Sequence, residues 1–107
     1  MKRWIAGVAL AVGIGGGAVW AQNGAGPVSY EQAALLASAC FNCHGPEGVS
    51  PGQIPSITGF SADQLIALLN AFKADEIAGT TVMGRIARGY DDAEIAAIAA
   101  YLAGDLD

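Results

Sequence analysis

The stretch Cys40-Phe41-Asn42-Cys43-His44 decides how this chain of 107 residues is interpreted. A helix advances by about 100° per residue, so positions i, i+3 and i+4 share one face. Cys40, Cys43 and His44 therefore point the same way at the end of a helix. Two thiols and an imidazole can then reach a single group beside that face, while Phe41 and Asn42 point elsewhere.

Several kinds of site use paired cysteines. A disulfide between Cys40 and Cys43 would suit an exported chain. A thioredoxin-like redox pair belongs to a βαβ setting, which this sequence does not show. Zinc would have only Cys40, Cys43 and His44 as ligands, and adjacent Cys and His side chains share a tetrahedral ion poorly. The remaining interpretation is the C-x-x-C-H signature of haem attachment, with both thiols bonded to haem vinyl groups and His44 Nε2 on the iron.

The first 21 residues have the features of a secretory signal peptide. Met1-Lys2-Arg3 is cationic, the stretch from Trp4 to Val19 is apolar, and Val19 and Ala21 stand at the −3 and −1 positions. An uncleaved membrane anchor is the alternative, although a span needs about 20 apolar residues. Cleavage after Ala21 would leave a flexible leader, 22–28, and one monohaem domain, 29–107. Export to the periplasm agrees with haem attachment, which takes place outside the cytoplasm.

Without the predicted signal peptide the chain is strongly acidic and small. Three cations, Lys73, Arg85 and Arg88, then stand against ten carboxylates. Such a surface repels phosphate backbones, which makes nucleic acid a poor partner. A domain of this size commonly needs a metal, a disulfide or a cofactor to complete its core.

The sequence predicts an all-α domain of three helices joined by two long loops. The helix starts are marked by three capping boxes: Ser29 with Gln32, Ser61 with Gln64, and Asp91 with Glu94. The first helix is expected from about Tyr30 to Cys43, and Gly104 ends the third. Loops are expected at Gly45–Gly59 and Ala74–Gly89, and such long loops become reasonable if they wrap a cofactor. The inward positions predicted from periodicity are Ala33, Leu36, Cys40, Leu65, Leu68, Leu69, Phe72, Ile95, Ile98 and Leu102.

Met83 is the candidate for the second axial position of the haem iron. It is the only methionine after residue 21 and lies in a glycine-flanked loop about 40 residues past the C-x-x-C-H motif. A buried methionine is more often gap-filling core, but no other side chain in the mature sequence is a comparable sixth ligand. Thioether sulfur opposite histidine raises the reduction potential. An iron with both axial positions filled suits electron transfer rather than binding of substrate or O₂.

The helix and loop order, the run Cys40–Gly45 and the Met83 loop together resemble class I cytochrome c. The resemblance implies a small class I cytochrome c fold, in which three main helices wrap one covalently bound haem. It also implies His44 and Met83 as the two iron ligands. Proteins of this family orient the histidine with a proline carbonyl in a Pro-x-Leu-x-Gly segment. Pro55-Ser56-Ile57-Thr58-Gly59 matches with Ile for Leu, so the Pro55 carbonyl is the candidate acceptor for His44.

A narrower resemblance is to the cytochrome subunit of flavocytochrome c sulfide dehydrogenase. It is carried by Phe72-Lys73, Glu76-Ile77-Ala78, the run Thr81–Tyr90, His44–Gly48 and Ile54–Ile57. This implies a partner subunit with FAD that oxidises sulfide and passes electrons singly to the haem subunit, which delivers them to a soluble acceptor. Familiar members have two haem domains, whereas this chain has one C-x-x-C-H motif and matches the first domain only.

Arg85, Arg88 and Tyr90 are further candidates for contacts with the haem propionates or with the flavoprotein. Exposed loop charges and a hydrophobic staple from Tyr90 to Ile95 are the simpler explanations. A free-standing periplasmic electron shuttle is the alternative function. A haem protein with an open iron, ligand-binding or peroxidase-like, is a third, and a copper or zinc module is the last. As a subunit of sulfide dehydrogenase or as a free electron shuttle, the chain would supply no acid, base or nucleophile to a substrate.

Overall fold

The computed structural model describes residues 28–106, so the predicted signal peptide, 1–21, and the leader as far as residue 27 lie outside it. All regular elements within the described residues are helical, which confirms the all-α prediction. In chain order they are α1 (Tyr30–Ser38), α2 (Phe41–His44), a 3-10 turn (Pro46–Gly48), α3 (Ala62–Lys73), α4 (Met83–Ala87) and α5 (Asp92–Ala103).

The three predicted capping boxes all form, and they fix where α1, α3 and α5 begin. In each, the side-chain oxygen of the N-cap residue accepts from the backbone N–H three residues later. The N···O distances are 3.2 Å at Ser29, 3.1 Å at Ser61 and 2.8 Å at Asp91. Gly104 ends α5 in the left-handed conformation, at φ 77°. Local hydrogen bonding therefore accounts for these helix ends.

The prediction of one helix from Tyr30 to Cys43 is wrong, because the helix is interrupted between α1 and α2. The Ser38 hydroxyl donates to the Leu35 carbonyl at 2.6 Å, so the side chain competes for a backbone acceptor of the last turn. The Cys40 N–H then bonds to the Ala37 carbonyl at 3.0 Å, three residues back rather than four. This tighter turn separates α2, with its Cys and His side chains, from α1, although Ala39 and Cys40 keep right-handed helical backbone angles.

The predicted loop Ala74–Gly89 contains a helix, α4, that the sequence did not indicate. Five residues are too few to show a hydrophobic period, Gly84 is a poor helix former, and the N-cap Val82 offers no side-chain hydrogen bond. Packing holds α4 instead, since it contacts α3 and buries Ala87 completely.

Helix α5 is the centre of the packing, because it contacts both α1 and α3. The outer elements extend from these two helices: α2 packs on α1 and the 3-10 turn, and α4 packs on α3. Lys73 closes the end of α3 against the start of α5 by donating to the Tyr90 carbonyl at 2.6 Å.

The buried core is small and consists largely of alanine. Its members are Ala33, Ala37, Leu65, Ala87, Ile95, Ala97, Ile98 and Ala99. Small side chains in both α1 and α5 let the two helices approach closely. Leu36, predicted to face inward, is therefore only half-buried while Ala37 is buried. Leu68 was also predicted inward but is 36% exposed, since the described residues do not cover that side of α3.

Candidate functional site

His44, at the end of α2, has its ring oriented by a backbone carbonyl. Its Nδ1 lies 2.5 Å from the Pro55 carbonyl oxygen, the acceptor that the sequence resemblance nominated. A carbonyl can only accept, so Nδ1 carries the hydrogen, and in the neutral ring Nε2 keeps a lone pair. Metal-bound histidines are commonly held in this way through their second nitrogen. His44 is thus prepared to bind a metal ion through Nε2.

The segment after His44 folds back because its residues adopt unusual backbone angles. Gly45 has φ 89° and ψ 165°, a conformation open essentially to glycine alone. A Cβ at Gly45 would lie 1.9 Å from the Val49 carbonyl oxygen. Gly48 follows at φ 81°, and its carbonyl accepts from the Ile57 N–H at 2.8 Å. This closed loop brings Pro55 against the His44 ring.

Cys40 and Cys43 are free thiols, so the structure does not contain the disulfide considered from the sequence. Cys40 is half-buried in the turn before α2 and Cys43 is exposed on α2. Burial raises the pKa of the Cys40 thiol, with a backbone hydrogen bond acting in the opposite direction. Both sulfur atoms therefore remain available for covalent attachment of a group.

A metal site of the zinc type has no support in residues 28–106. In that part of the chain no three His, Cys, Asp or Glu side chains gather closely enough to hold one ion. Cys40, Cys43 and His44 are therefore not such a cluster.

Met83 is the first residue of α4 and is half-buried. The next residue, Gly84, fixes how closely α4 approaches α3, since a Cβ there would lie 3.0 Å from the Phe72 carbonyl oxygen. Met83 and His44 thus lie on separate helices, one packed on α3 and the other on α1. The packing role of Gly84 was not predictable from the sequence, where the residue is only a glycine directly after Met83.

The three remaining candidates are distributed over α4 and the segment before α5. Arg85 and Arg88 are exposed, and an Arg88 Nη lies 3.3 Å from where a Gly84 Cβ would stand, so its guanidinium lies over Gly84. Tyr90 is half-buried. Burial raises the pKa of Tyr90, and the nearby Cys40 and Glu94 charges add to the effect. Tyr90 is therefore brought near the turn that carries Cys40.

The apolar side chains of the region are consistent with a large apolar ligand. Ile54, beside Pro55, is 46% exposed, and Leu68 on α3 is 36% exposed. Leucine and isoleucine gain free energy when they are covered, and a core made mainly of alanine gives them few protein partners. Two thiols, an oriented imidazole and uncovered aliphatic side chains are the donor set and surface that fit haem c.

Comparison with known proteins identifies the class. Residues 31–104 match the family model described as cytochrome c, which is more than half of the chain. The chain therefore belongs to the cytochrome c family and is a class I c-type electron-transfer cytochrome, for which haem c is the implied cofactor.

Two relatives narrow the comparison. Over 75 residues the chain is 41% identical to the cytochrome subunit of sulfide dehydrogenase from Chlorobaculum tepidum, which covers 70% of this chain and 67% of that subunit. Over 67 residues it is 40% identical to a thiosulfate dehydrogenase electron acceptor from Stutzerimonas stutzeri, which covers 60% of this chain. That second match spans only 31% of its relative. The first match supports the narrower resemblance found from the sequence.

Within residues 28–106, no helix has the length and apolar character that a membrane span requires.

Proposed function

We propose that this chain is the periplasmic haem subunit that accepts electrons from an FAD-containing sulfide dehydrogenase subunit and passes them to a soluble acceptor. The main observation in favour of a haem site is the hydrogen bond from the His44 ring to the Pro55 carbonyl. It orients the histidine that directly follows Cys43 in the C-x-x-C-H motif. The choice of partner is supported by the 41% identity to a cytochrome subunit of sulfide dehydrogenase. The matched residues make up 70% of this chain and 67% of that subunit, so the two sequences have similar lengths. A single haem domain is therefore compatible with the role of such a subunit.

The proposed site holds one haem c. Cys40 and Cys43 would form the two thioether bonds, and His44 Nε2 and the Met83 sulfur would bind the iron. Bound haem supplies an iron that cycles between the ferric and ferrous states. The Pro55 carbonyl holds the His44 ring in one orientation and increases its basicity. With His44 and Met83 both bound to the iron, the chain would favour outer-sphere electron transfer over binding of small ligands.

Chemistry on sulfide is assigned to the partner and its FAD. The described surface has no histidine other than His44, whose two ring nitrogens are both committed in this proposal. Residues 1–21 are proposed to be a signal peptide cleaved after Ala21, followed by a leader to residue 28 and the monohaem domain, 29–107. Cleavage would release the mature chain in the periplasm.

Purification of the native complex tests the proposal. The chain, tagged at its C-terminus, should co-purify with an FAD protein, and the complex should contain covalent haem and flavin in equal amounts. Added sulfide should then reduce the haem. A preparation with covalent haem that never contains flavin, and that sulfide with the flavoprotein does not reduce, would exclude the assigned partner.

A free-standing periplasmic electron shuttle is the second candidate. It is favoured by the 40% identity to a relative named as an electron acceptor of thiosulfate dehydrogenase. The two candidates differ only in whether a partner is permanent. A shuttle should elute as a monomer in size exclusion at micromolar concentration and exchange electrons with separately added dehydrogenase.

An open-site haem protein, ligand-binding or peroxidase-like, is the third candidate and requires that Met83 does not bind the iron. The ferrous native protein would then bind CO tightly. Absence of CO binding, together with a far-red sulfur-to-iron absorption band in the ferric protein, excludes this candidate.

A further inference from the structure

The charges of this acidic protein are unevenly distributed. Residues 77–90 contain no carboxylate, whereas acidic residues occur on both sides of this segment, at Glu76 and Asp91. The same segment contains Arg85 and Arg88, both exposed. Lys73, the remaining cation of the described chain, is engaged by the Tyr90 carbonyl. The exposed positive charge is thus concentrated on α4.

Helical geometry places this charge on one face together with apolar side chains. Ala87 is fully buried and marks the inward side of α4. At 100° per residue, Arg85 and Val82 lie about 160° and 140° around the axis from Ala87, and Ile86 about 100°. The exposed fractions agree, since Val82 is 56% and Ile86 43% exposed.

We define the α4 outer face as Val82, Arg85, Ile86 and Arg88. We propose that this face docks the electron-donating flavoprotein subunit through a surface on that subunit where carboxylates lie beside apolar side chains. The inference rests on the proposed function and specifies the interface of the same site. Around the helix axis the order is Arg88, Arg85, Val82, Ile86, so the two arginines form one half of the face and the two branched aliphatic side chains form the other half.

The charge of the rest of the molecule favours this orientation over others. A partner with an acidic docking surface is repelled by the carboxylates on α1, α3 and α5 and attracted only at α4. Attraction at one face and repulsion elsewhere steer the encounter and exclude wrong orientations. Because Met83 is on the same short helix, the partner would arrive beside the proposed iron ligand. This position shortens the path for an electron.

Arg88 also keeps its guanidinium close to the backbone, over Gly84. Its long side chain therefore loses less freedom on docking than a fully extended one would, which lowers the entropic cost of the contact. Arg85, farthest from Ala87 around the axis, is the residue to change in a test. Its substitution leaves the Gly84–Phe72 contact intact.

The test measures haem reduction by the sulfide-reduced flavoprotein subunit in stopped flow. Arg85→Glu should lower the second-order rate constant about tenfold at low salt, and the difference should shrink as salt is raised. The matched control is Ala67→Glu combined with Ala96→Glu, which changes net charge equally on exposed positions of α3 and α5. The control should remain within about twofold of wild type. Equal slowing of variant and control, or no slowing of either, overturns the docking proposal.

A second measurement is independent of the flavoprotein. Oxidation of the ferrous haem protein by ferricyanide, an anion, should slow as ionic strength rises, although the protein is acidic overall. Arg85→Glu should reverse this trend, whereas the control should not. A wild-type rate that increases with salt overturns the proposal. A further outcome is that ferricyanide oxidation shows the expected salt dependence while the flavoprotein fails to reduce the wild-type haem. That result would show that the α4 outer face is positively charged but that the assigned partner is wrong.

Discussion

The turn that carries His44 and the helix that carries Met83 are held by different interactions. On the His44 side, backbone conformation dominates, with Gly45, Glu47 and Gly48 all at positive φ and a loop closed by hydrogen bonds. On the Met83 side, α4 has no side-chain cap and is positioned by its contact with α3 at Gly84. The first arrangement is local in sequence, and the second depends on tertiary packing.

Because of this difference, we expect substitutions near His44 and substitutions near Met83 to have different effects on the folded protein. A substitution that changes the backbone near His44 should disturb the whole C-x-x-C-H segment, because Cys40, Cys43 and His44 lie within five residues of one another. A packing defect near Met83 should shift one ligand and leave the rest of the domain folded. The predictions below test this contrast.

Gly45→Ala should have the largest effect. The substitution forces an alanine into a glycine-only conformation and places its Cβ 1.9 Å from a backbone oxygen that cannot rotate away. We expect a loss of about 3 kcal/mol or more in the free energy of unfolding. A strong reduction in covalent haem yield should accompany it. Guanidinium denaturation and a haem stain after denaturing electrophoresis measure the two effects.

Gly79→Ala is the matched control for this prediction. Gly79 also has a positive φ, 78°, but its Cβ would meet nothing within 4 Å. Only the conformational cost of about 1 kcal/mol remains. If both variants lose the same stability, backbone strain alone explains Gly45 and the close contact with Val49 is unimportant.

Met83→Ala should remove one ligand without preventing haem attachment. The ferric protein should lose its far-red sulfur-to-iron band completely, and the ferrous protein should gain CO binding. The reduction potential should fall, because thioether ligation raises it. Absorption spectra and a redox titration measure these changes. A wild type without the band would show that Met83 is not the ligand.

Gly84→Ala should produce an intermediate effect confined to the Met83 side. Its Cβ would approach the Phe72 carbonyl oxygen to 3.0 Å, so α4 has to move by a few tenths of an ångström. We expect a loss of about 1 to 2 kcal/mol in unfolding free energy. The far-red band should also disappear at a lower denaturant concentration than the haem absorption changes.

Gly52→Ala is the corresponding change on the His44 side, at a position with ordinary φ and nothing within 4 Å of the added Cβ. It should be neutral or slightly stabilising, because alanine restricts the unfolded chain. If the far-red band disappears at the same denaturant concentration in Gly52→Ala and in Gly84→Ala, the packing explanation for Met83 is contradicted.

The smallest effect is expected at the Tyr30–Tyr101 pair, whose ring centroids are 5.5 Å apart across α1 and α5. Repulsion from Tyr30, followed by burial, raises the pKa of Tyr101 above its ordinary value of about 10. The folded state then holds its proton longer than the unfolded state. Stability is therefore unaffected below pH about 10 and falls as pH rises through the folded pKa.

Tyr30→Phe should lower the pKa of Tyr101 and reduce this loss of stability at high pH. Ultraviolet titration of the phenolates and urea unfolding at pH about 9 and about 11 measure the change. The pKa of Tyr90, which is raised mainly by burial, should not move and serves as the internal reference. A stability difference between the variant and wild type that is constant with pH would show that lost packing, rather than ionisation, is responsible.

The sequence predicted those features that depend on neighbouring residues. The capping boxes at Ser29, Ser61 and Asp91 and the end of α5 at Gly104 all follow from local hydrogen bonding. The proline acceptor of His44 required a family resemblance, because no local rule identifies a carbonyl eleven residues away. The C-x-x-C-H spacing predicted haem attachment only together with the signal peptide and the capped helix, and the roles of Cys40, Cys43 and His44 stay a prediction.

Features that depend on packing were not predictable in the same way. The break after Ser38 arises from one hydroxyl and from the fit of α2 against α1. Helix α4 exists because Gly84 and Ala87 lie against other elements. Periodicity also favoured Leu36 over Ala37 as an inward residue, since it assumes that larger side chains are buried. The close contact of α1 with α5 requires small ones.

That contact also has a consequence for the order of events during folding. Helices α1 and α5 are separated by more than fifty residues, so α1 cannot bury Ala33 and Ala37 until almost the whole chain is available. Closing so long a segment is slow compared with forming a local turn. Until then Cys40 and Cys43 stay in an open chain, where both thiols are accessible to the covalent attachment proposed above. Packing between the two ends of the domain would then set the period available for that reaction.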